Sequence, residues 1–198
     1  MMGNNKRKMI LASQSPRRKQ LLQEAGYRDF DIIPSRVEEI DSTPENWFCV
    51  ALLNAEKKAD DIAAKYPDAL VIGADTVVEF EQQAVGKPST LAEAFQMIKG
   101  FSGKSHVVST GVCIRCAALD LTIRFTEHSK VFFRELSDED IQYYLTLVPV
   151  LDKAGAYGIQ DHGDLLIDHI EGSFSNIMGF PVERFAEAMM AVEKIENP

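Results

Sequence analysis

Met9-Ile10-Leu11-Ala12-Ser13-Gln14-Ser15-Pro16-Arg17-Arg18 is the stretch that orders the rest of the chain. Met9 to Ala12 is a short apolar run, as expected of a buried strand. Leu21, Leu22 and Ala25 then share one side of an amphipathic pattern, with Lys19, Gln20, Gln23 and Glu24 on the other. The residues between form a strand-to-helix turn. Ser15 can cap the helix, and Pro16 suits its first position, where no amide hydrogen is needed. Free N–H groups, the positive end of the helix dipole and two guanidinium groups converge there, which makes an anion site with phosphate as its most natural occupant. A plain capped helix with two solvated arginines is the commoner reading of so short a stretch taken alone, so later segments must decide.

The chain has 198 residues, enough for one domain with a real core and too few for two comfortable ones. Lys+Arg 21 against Asp+Glu 30 gives a net charge of -9, which argues against nucleic acid or an anionic membrane as the main partner. A small anionic ligand stays open, provided positive charge is concentrated in a cleft. Residues 1–8 are polar and basic and read as a frayed tail, with residues 9–198 as the domain. The apolar run after the tail is too short for a signal-peptide core or a membrane span, so a cytosolic protein is expected. Three cysteines, Cys49, Cys113 and Cys116, do not suggest a disulfide framework.

Taken in order, residues 16–25 form the first helix, with Gly26 at its end, and Phe30 to Ile33 a short strand. Ser35 to Ser42 is a loop carrying Glu38, Glu39 and Asp41. Thr43-Pro44 opens a long helix to about Lys65. At about 100° per residue, Trp47, Ala51, Ala55, Ala59 and Ile62 share one face of it, and Lys58 projects onto that face while Lys57 points away. Such a lysine either snorkels to water or reaches into a cleft to meet an anion. Ala69 to Val78 is a nearly continuous apolar run, hence a central strand, interrupted by Asp75. A carboxylate there must be paired, hold a metal, sit at a cleft edge or become protonated.

Thr90-x-x-Glu93 is a capping box opening a helix to about Phe101. Ser105 to Ala118 and Leu121 to Glu135 read as an antiparallel hairpin. Ser137 caps a helix to about Leu147. Residues 152–160 are small and glycine-rich around Tyr157. Leu165 to Ile170 is a strand, Gly172 to Pro181 a loop, and Val182 to Glu196 a final helix. One α/β domain of mixed sheet and flanking helices follows.

Several familiar constellations fail. Cys113-x-x-Cys116 lies in a strand pattern, where an odd separation puts the thiols on opposite faces, and no second pair completes a tetrahedral site. The four histidines lack metalloprotease spacing, and there is no Gly-x-Ser-x-Gly elbow or Gly-x-Gly-x-x-Gly turn. The run ending in Gly86-Lys87-Pro88 is not a Walker A loop, since Glu81 stands at its first glycine and Pro88 replaces Ser or Thr. What survives is a set of cations (Arg17, Arg18, Lys58, Lys87), two acids (Glu38, Asp75) and Gln160 in the late glycine-rich segment. Cations with acids form the pattern of a Mg²⁺–polyphosphate site.

Ser13-x-Ser15-Pro16-Arg17-Arg18, Ala55-x-x-Lys58-Ala59, Gly73-Ala74-Asp75-Thr76, Gly86-Lys87-Pro88, the run Asp152 to Gln160 and Met178-Gly179-Phe180-Pro181 occur in the order and spacing of the Maf family, which the chain resembles from residue 9 to about 190. The resemblance implies a single α/β domain with an elongated mixed sheet flanked by helices, like that of inosine triphosphate pyrophosphatases, and a central ligand cleft. It implies a nucleoside triphosphate pyrophosphatase of the dTTP/UTP type that uses a divalent cation, Mg²⁺ or Mn²⁺, and forms a homodimer.

Carried over by position, Asp75 is the proton acceptor. Arg17, Thr76 and Gln160 set base choice. Ser13, Arg18, Glu38, Lys58 and Lys87 line the phosphate and metal site, with Glu38 and Asp75 as metal ligands. The Gln160 amide offers one acceptor and two donors, which match the N3 donor and flanking carbonyls of uracil and thymine. Asp161 stands where the family often has glycine, and Phe174-Ser175-Asn176 where it often has aromatic pairs. Those departures bear on the preferred nucleotide, modified pyrimidines included. Two other readings remain: a pyrophosphatase of the same fold acting on 7-methyl-GTP, and a nucleotide-binding regulator of cell division with little turnover.

Overall fold

The computed structural model of the protein describes residues 7–43 and 46–196. Strand β1 (Met9–Leu11) runs through the Ser13–Ser15 turn into helix α1 (Pro16–Glu24), and β2 (Phe30–Ile32) pairs parallel to β1. Helix α2 (Val50–Ala63) leads to β3 (Leu70–Phe80), also parallel to β1. A tight turn returns the chain as β4 (Gln83–Val85), followed by α3 (Leu91–Phe101), β5 (Ser105–Cys116) and β6 (Leu121–Phe133). Helix α4 (Asp138–Leu147), β7 (Ile167–Glu171), the short α5 (Phe174–Ile177) and α6 (Val182–Glu196) complete the chain. The sheet order is β2-β1-β3-β5-β6-β7, with β4 on β3. The expected single domain with a mixed sheet flanked by helices is what forms. No helix among the described residues is long and apolar enough to cross a membrane.

Alternation along the strands divides the core between two faces. On one face Ala55, Ala59 and Ile62 of α2 pack on Ile10, Val71 and Cys113. The opposite face carries two clusters. One joins Ile72, Ala74, Val112 and Cys116 to α1 and α6. The other joins Val78, Val108 and Val131 to α3 and α4. Cys113 and Cys116 therefore lie in different cores, as their odd spacing requires, and burial pushes the Cys113 thiol up to about 12.

The sheet is incomplete along one edge of β3. Leu11 pairs with Ile72 and β1 stops, whereas β4 joins only from Val78. Between them Gly73 to Val77 have no strand among the described residues on that side, while the other edge is paired to β5 from Val71 to Glu79. Thr76 lies in the gap and, with Thr110 opposite it, separates the two apolar clusters.

Several expected boundaries move. Helix α2 starts at Val50, not at Thr43-Pro44. The Asn46 side chain accepts from the Thr43 N–H (2.7 Å) and donates to the Asp41 carbonyl (3.0 Å), which holds the chain in a turn and leaves Trp47 outside the helix. Pro44 lies outside the described residues. The strand expected from Leu165 begins at Ile167, because His162 and Gly163 carbonyls accept from Leu165 and Leu166 in a 3₁₀ turn. The loop expected after Gly172 contains α5, capped by Ser173. Of the expected tail, residues 1–6 lie outside the described residues. Lys8 is tied into the sheet, its carbonyl accepting from Leu70 N–H at 2.9 Å and its ammonium pairing with Asp31.

Candidate active site

A cleft of about 1060 Å³ opens at the gap beside β3. That is at the upper end of the roughly 300–1,000 Å³ usual for ligand pockets. It lies past the carboxyl end of β1, where open α/β sheets commonly take ligands. The Ser13–Arg18 turn enters from β1, and Gly86-Lys87 enters from the far side, after β4. The 152–161 segment covers the cleft, joined to the Lys87 loop by the Gly155 N–H donating to the Gly86 carbonyl at 3.0 Å.

Asp75 points to the α2 face. It can do so because α2 sits almost on the strand backbone. A Cβ at Gly73 would come within 2.1 Å of the Ala55 carbonyl oxygen, and one at Gly111, opposite Asp75, within 2.4 Å of Leu52. With the helix that close, Asn54 and Lys58, one turn apart, both reach the carboxylate. Lys58 Nζ lies 2.8 Å from Asp75 Oδ1, and Asn54 Nδ2 donates to Oδ2 at 3.2 Å. Lys58 also meets Glu39 Oε1 at 2.6 Å. Burial pushes the Glu39 carboxyl up, but the Lys58 bond and charge outweigh it, with help from Lys87 and Arg18, and hold it below the usual range.

The adjacent residue, Thr76, points to the other face. Its Oγ1 shares a 2.9 Å hydrogen bond with Thr110 and accepts from Arg18 Nη2 at 3.1 Å. Arg18 also donates to Ser13 Oγ (3.0 Å) and the Gly179 carbonyl (2.9 Å). Three segments, from β1, β3 and the loop before α6, are thus pinned to one guanidinium. Burial lowers its pKa from the ordinary value, against the opposing fields of Asp75 and Glu39. Ser15 caps α1 as expected, its Oγ accepting from Arg18 N–H.

Ser13, Arg17, Arg18, Lys58, Asp75, Thr76, Lys87 and Gln160 all line this one cleft. Glu38 does not. Its side chain is exposed and outside the lining, and its carbonyl accepts from Lys57 at 2.7 Å. Glu39 is the acid that reaches the site, since neighbouring residues of an extended loop point apart and sequence could not say which points inward.

The lining is balanced rather than positive. Cations Arg17, Arg18, Lys58, Lys87 and Lys153 meet acids Glu39, Asp41, Asp75, Asp152 and Asp161. The Arg17 and Lys87 side chains make no hydrogen bond or ion pair to another described residue. They are therefore the cations most available to a ligand.

Two residues escaped the sequence reading. Asn54 precedes Lys58 by four on the same apolar stripe, a position whose polarity was itself the signal. Lys153, with only 6% of its side chain exposed, donates to the Pro149 carbonyl (2.7 Å) and Asp152 (2.9 Å) and lies 3.6 Å from Asp161. It seats the glycine-rich segment, a task that nothing in the neighbouring sequence marks.

Asp75 Oδ1 and Glu39 Oε1 converge on one ammonium, so both can face a single cation. No group of three or more His, Cys, Asp or Glu among the described residues could hold a metal alone. Two hard carboxylate oxygens, with water and phosphate completing the shell, suit a magnesium-like ion and not a soft one.

The chain is similar to known proteins along most of its length. The model of the Maf family, described as Maf-like protein, matches residues 8–192. A dTTP/UTP pyrophosphatase of Bacillus cereus (strain ATCC 10987 / NRS 248) is 42% identical over 187 residues, covering 94% of this chain and 91% of the relative. One of Bacillus anthracis (strain CDC 684 / NRRL 3495) is 43% identical over 183 residues, covering 92% and 94%. The Staphylococcus aureus Ham1 protein shares the fold, with a TM-score of 0.50 at 17% identity over 94% of this chain and all of its own. A family model spanning nearly the whole chain, together with relatives this similar, places the protein in the Maf family.

Proposed function

We propose that the chain is a nucleoside triphosphate pyrophosphatase of the dTTP/UTP type, converting substrate and water into nucleoside monophosphate and pyrophosphate. The observation that carries this is Asp75, gripped on both oxygens by Lys58 and Asn54 in a cleft that also holds Arg17 and Lys87. Relatives named for that activity, over more than nine-tenths of the chain, support the same reading.

In this scheme Asp75 takes a proton from a water as its oxygen bonds to the α-phosphorus. The bond from that phosphorus to the bridging oxygen breaks, and its electron pair leaves with pyrophosphate. Arg17 and Lys87 hold phosphate oxygens, and Lys58 keeps the carboxylate aimed. Glu39 and Asp75 would hold the divalent ion, which when bound lowers the pKa of a bound water and offsets phosphate charge. Gln160 faces the base edge with its acceptor and two donors. The Thr76 hydroxyl is tied to Arg18 and Thr110, so it acts on base choice by setting the Gly179 loop. The functional form is a homodimer, measurable by sedimentation.

Pyrophosphate release over UTP, dTTP, CTP and 7-methyl-GTP, with Mg²⁺ and with Mn²⁺, tests the proposal. UTP and dTTP are expected to turn over fastest. Fastest release from 7-methyl-GTP would reassign the substrate. Heat protection by UTP without release from any nucleotide would make the chain a nucleotide-binding regulator.

A further inference from the structure

Asn54 is 3% exposed, yet every polar atom of its side chain has a partner. Oδ1 accepts from the Ile40 N–H at 2.6 Å. Nδ2 donates to the Ile40 carbonyl and to Asp75 Oδ2, each at 3.2 Å. Both amide hydrogens are therefore used. A flipped amide would aim its oxygen at the Ile40 carbonyl and the Asp75 carboxylate and its NH₂ at the Ile40 N–H, replacing three attractions with repulsions. The orientation is fixed by the network.

Ile40 belongs to the loop between β2 and α2 that also carries Glu39. Among the described residues that loop has no ladder of its own, so the two bonds to Asn54 stand in for a strand partner. The same loop delivers Glu39 to Lys58, and Lys58 and Asn54 take the two oxygens of Asp75. One side chain thus ties the seating of the loop to the rotation of the carboxylate.

We propose that Asn54 is a positioning residue that locks the Glu39 loop and the Asp75 carboxylate into one arrangement, so that the loop cannot leave without freeing the base. This rests on the assignment of Asp75 as proton acceptor. A half-held carboxylate still admits substrate but less often faces the water, so the effect belongs to kcat more than to KM.

Two variants and two readouts test it. Asn54→Leu keeps the size and removes all three bonds. It is expected to lower kcat about 10- to 50-fold, the range seen when groups orienting a site's ligands are lost, with KM within about threefold. Its Ile40 amide should exchange with deuterium at least about tenfold faster. Asn54→Asp keeps the acceptor for Ile40 and puts a carboxylate against Asp75, so Ile40 protection should survive while kcat falls as far.

A folded Asn54→Leu with wild-type kcat, or with unchanged Ile40 exchange, overturns the proposal. If Asn54→Leu does not fold, Asn54→Asp decides alone, and wild-type kcat in that variant is the overturning result. The exchange readout needs no substrate. A wild-type protein that releases no pyrophosphate would defeat the functional assignment, while exchange would still report whether the loop is held by Asn54.

Discussion

Asp75 and Thr76 are neighbours on β3 and face opposite sides of the sheet, among opposite kinds of partner. Around Asp75 the contacts are charged and end in open cleft: Lys58, Glu39 and the amide of Asn54. Around Thr76 they are neutral-acceptor hydrogen bonds between segments already fixed: Thr110, Arg18 and the Gly179 carbonyl. The first side can trade partners when a ligand arrives. The second is less free to, because each hydroxyl and each guanidinium nitrogen there already serves a protein atom. One strand thus supplies a reactive face and a structural face by alternation alone.

The sharpest way to break the comparison is Asp75→Asn. The amide keeps the shape and cannot take a proton, so pyrophosphate release should fall about 10³-fold while nucleotide affinity, read by calorimetry, stays within a few-fold. Turnover at the wild-type rate would remove the reactive label from that face.

The structural face should instead reveal itself through stability. His106, 2% exposed and stacked on Phe101, bonds the Tyr157 hydroxyl at 2.7 Å, and burial depresses its pKa from 6.5 to about 4. Below its unfolded pKa the unfolded chain binds a proton that the folded chain refuses. The contribution is therefore whole above about pH 6.5 and is lost as pH falls toward 4, about 3 kcal/mol in all. Unfolding free energies from urea titrations near pH 7 and near pH 5 should diverge by about 2 kcal/mol more in the wild type than in His106→Phe. Equal divergence would mean that His106 is not held neutral.

Two smaller contrasts follow. Glu39→Gln should cost about tenfold in kcat/KM, since it frees Lys58 on one side, and Glu38→Gln should stay within about twofold. The reverse ranking would return Glu38 to the site. Thr110→Val removes bonds to Thr76 and the Asn176 carbonyl (3.2 Å) and should cost about 1 kcal/mol of stability, with kcat within about threefold of wild type. A large loss of activity without loss of stability would show that the hydroxyl face takes part in the chemistry.

Much of this was legible before any coordinates. Apolar runs and caps set the strands and helices, because local backbone preference and side-chain periodicity are properties of neighbouring residues. The period of α2 put Lys58 on its buried stripe, and an odd spacing sent Cys113 and Cys116 to different cores. The start of α2 was misjudged because Asn46 spends its side chain on a turn, a competition that pattern alone does not weigh.

Tertiary structure alone decided which charges meet. Nothing local distinguishes Glu38 from Glu39, marks Asn54 as the partner of Asp75, or shows that Arg18 is tied to the scaffold while Arg17 stays available. Those outcomes depend on contacts across 14 to 161 residues of chain, set by a gap in the sheet and by two glycines that let a helix come down onto it. Periodicity fixes the face a side chain occupies, but only packing fixes what stands opposite.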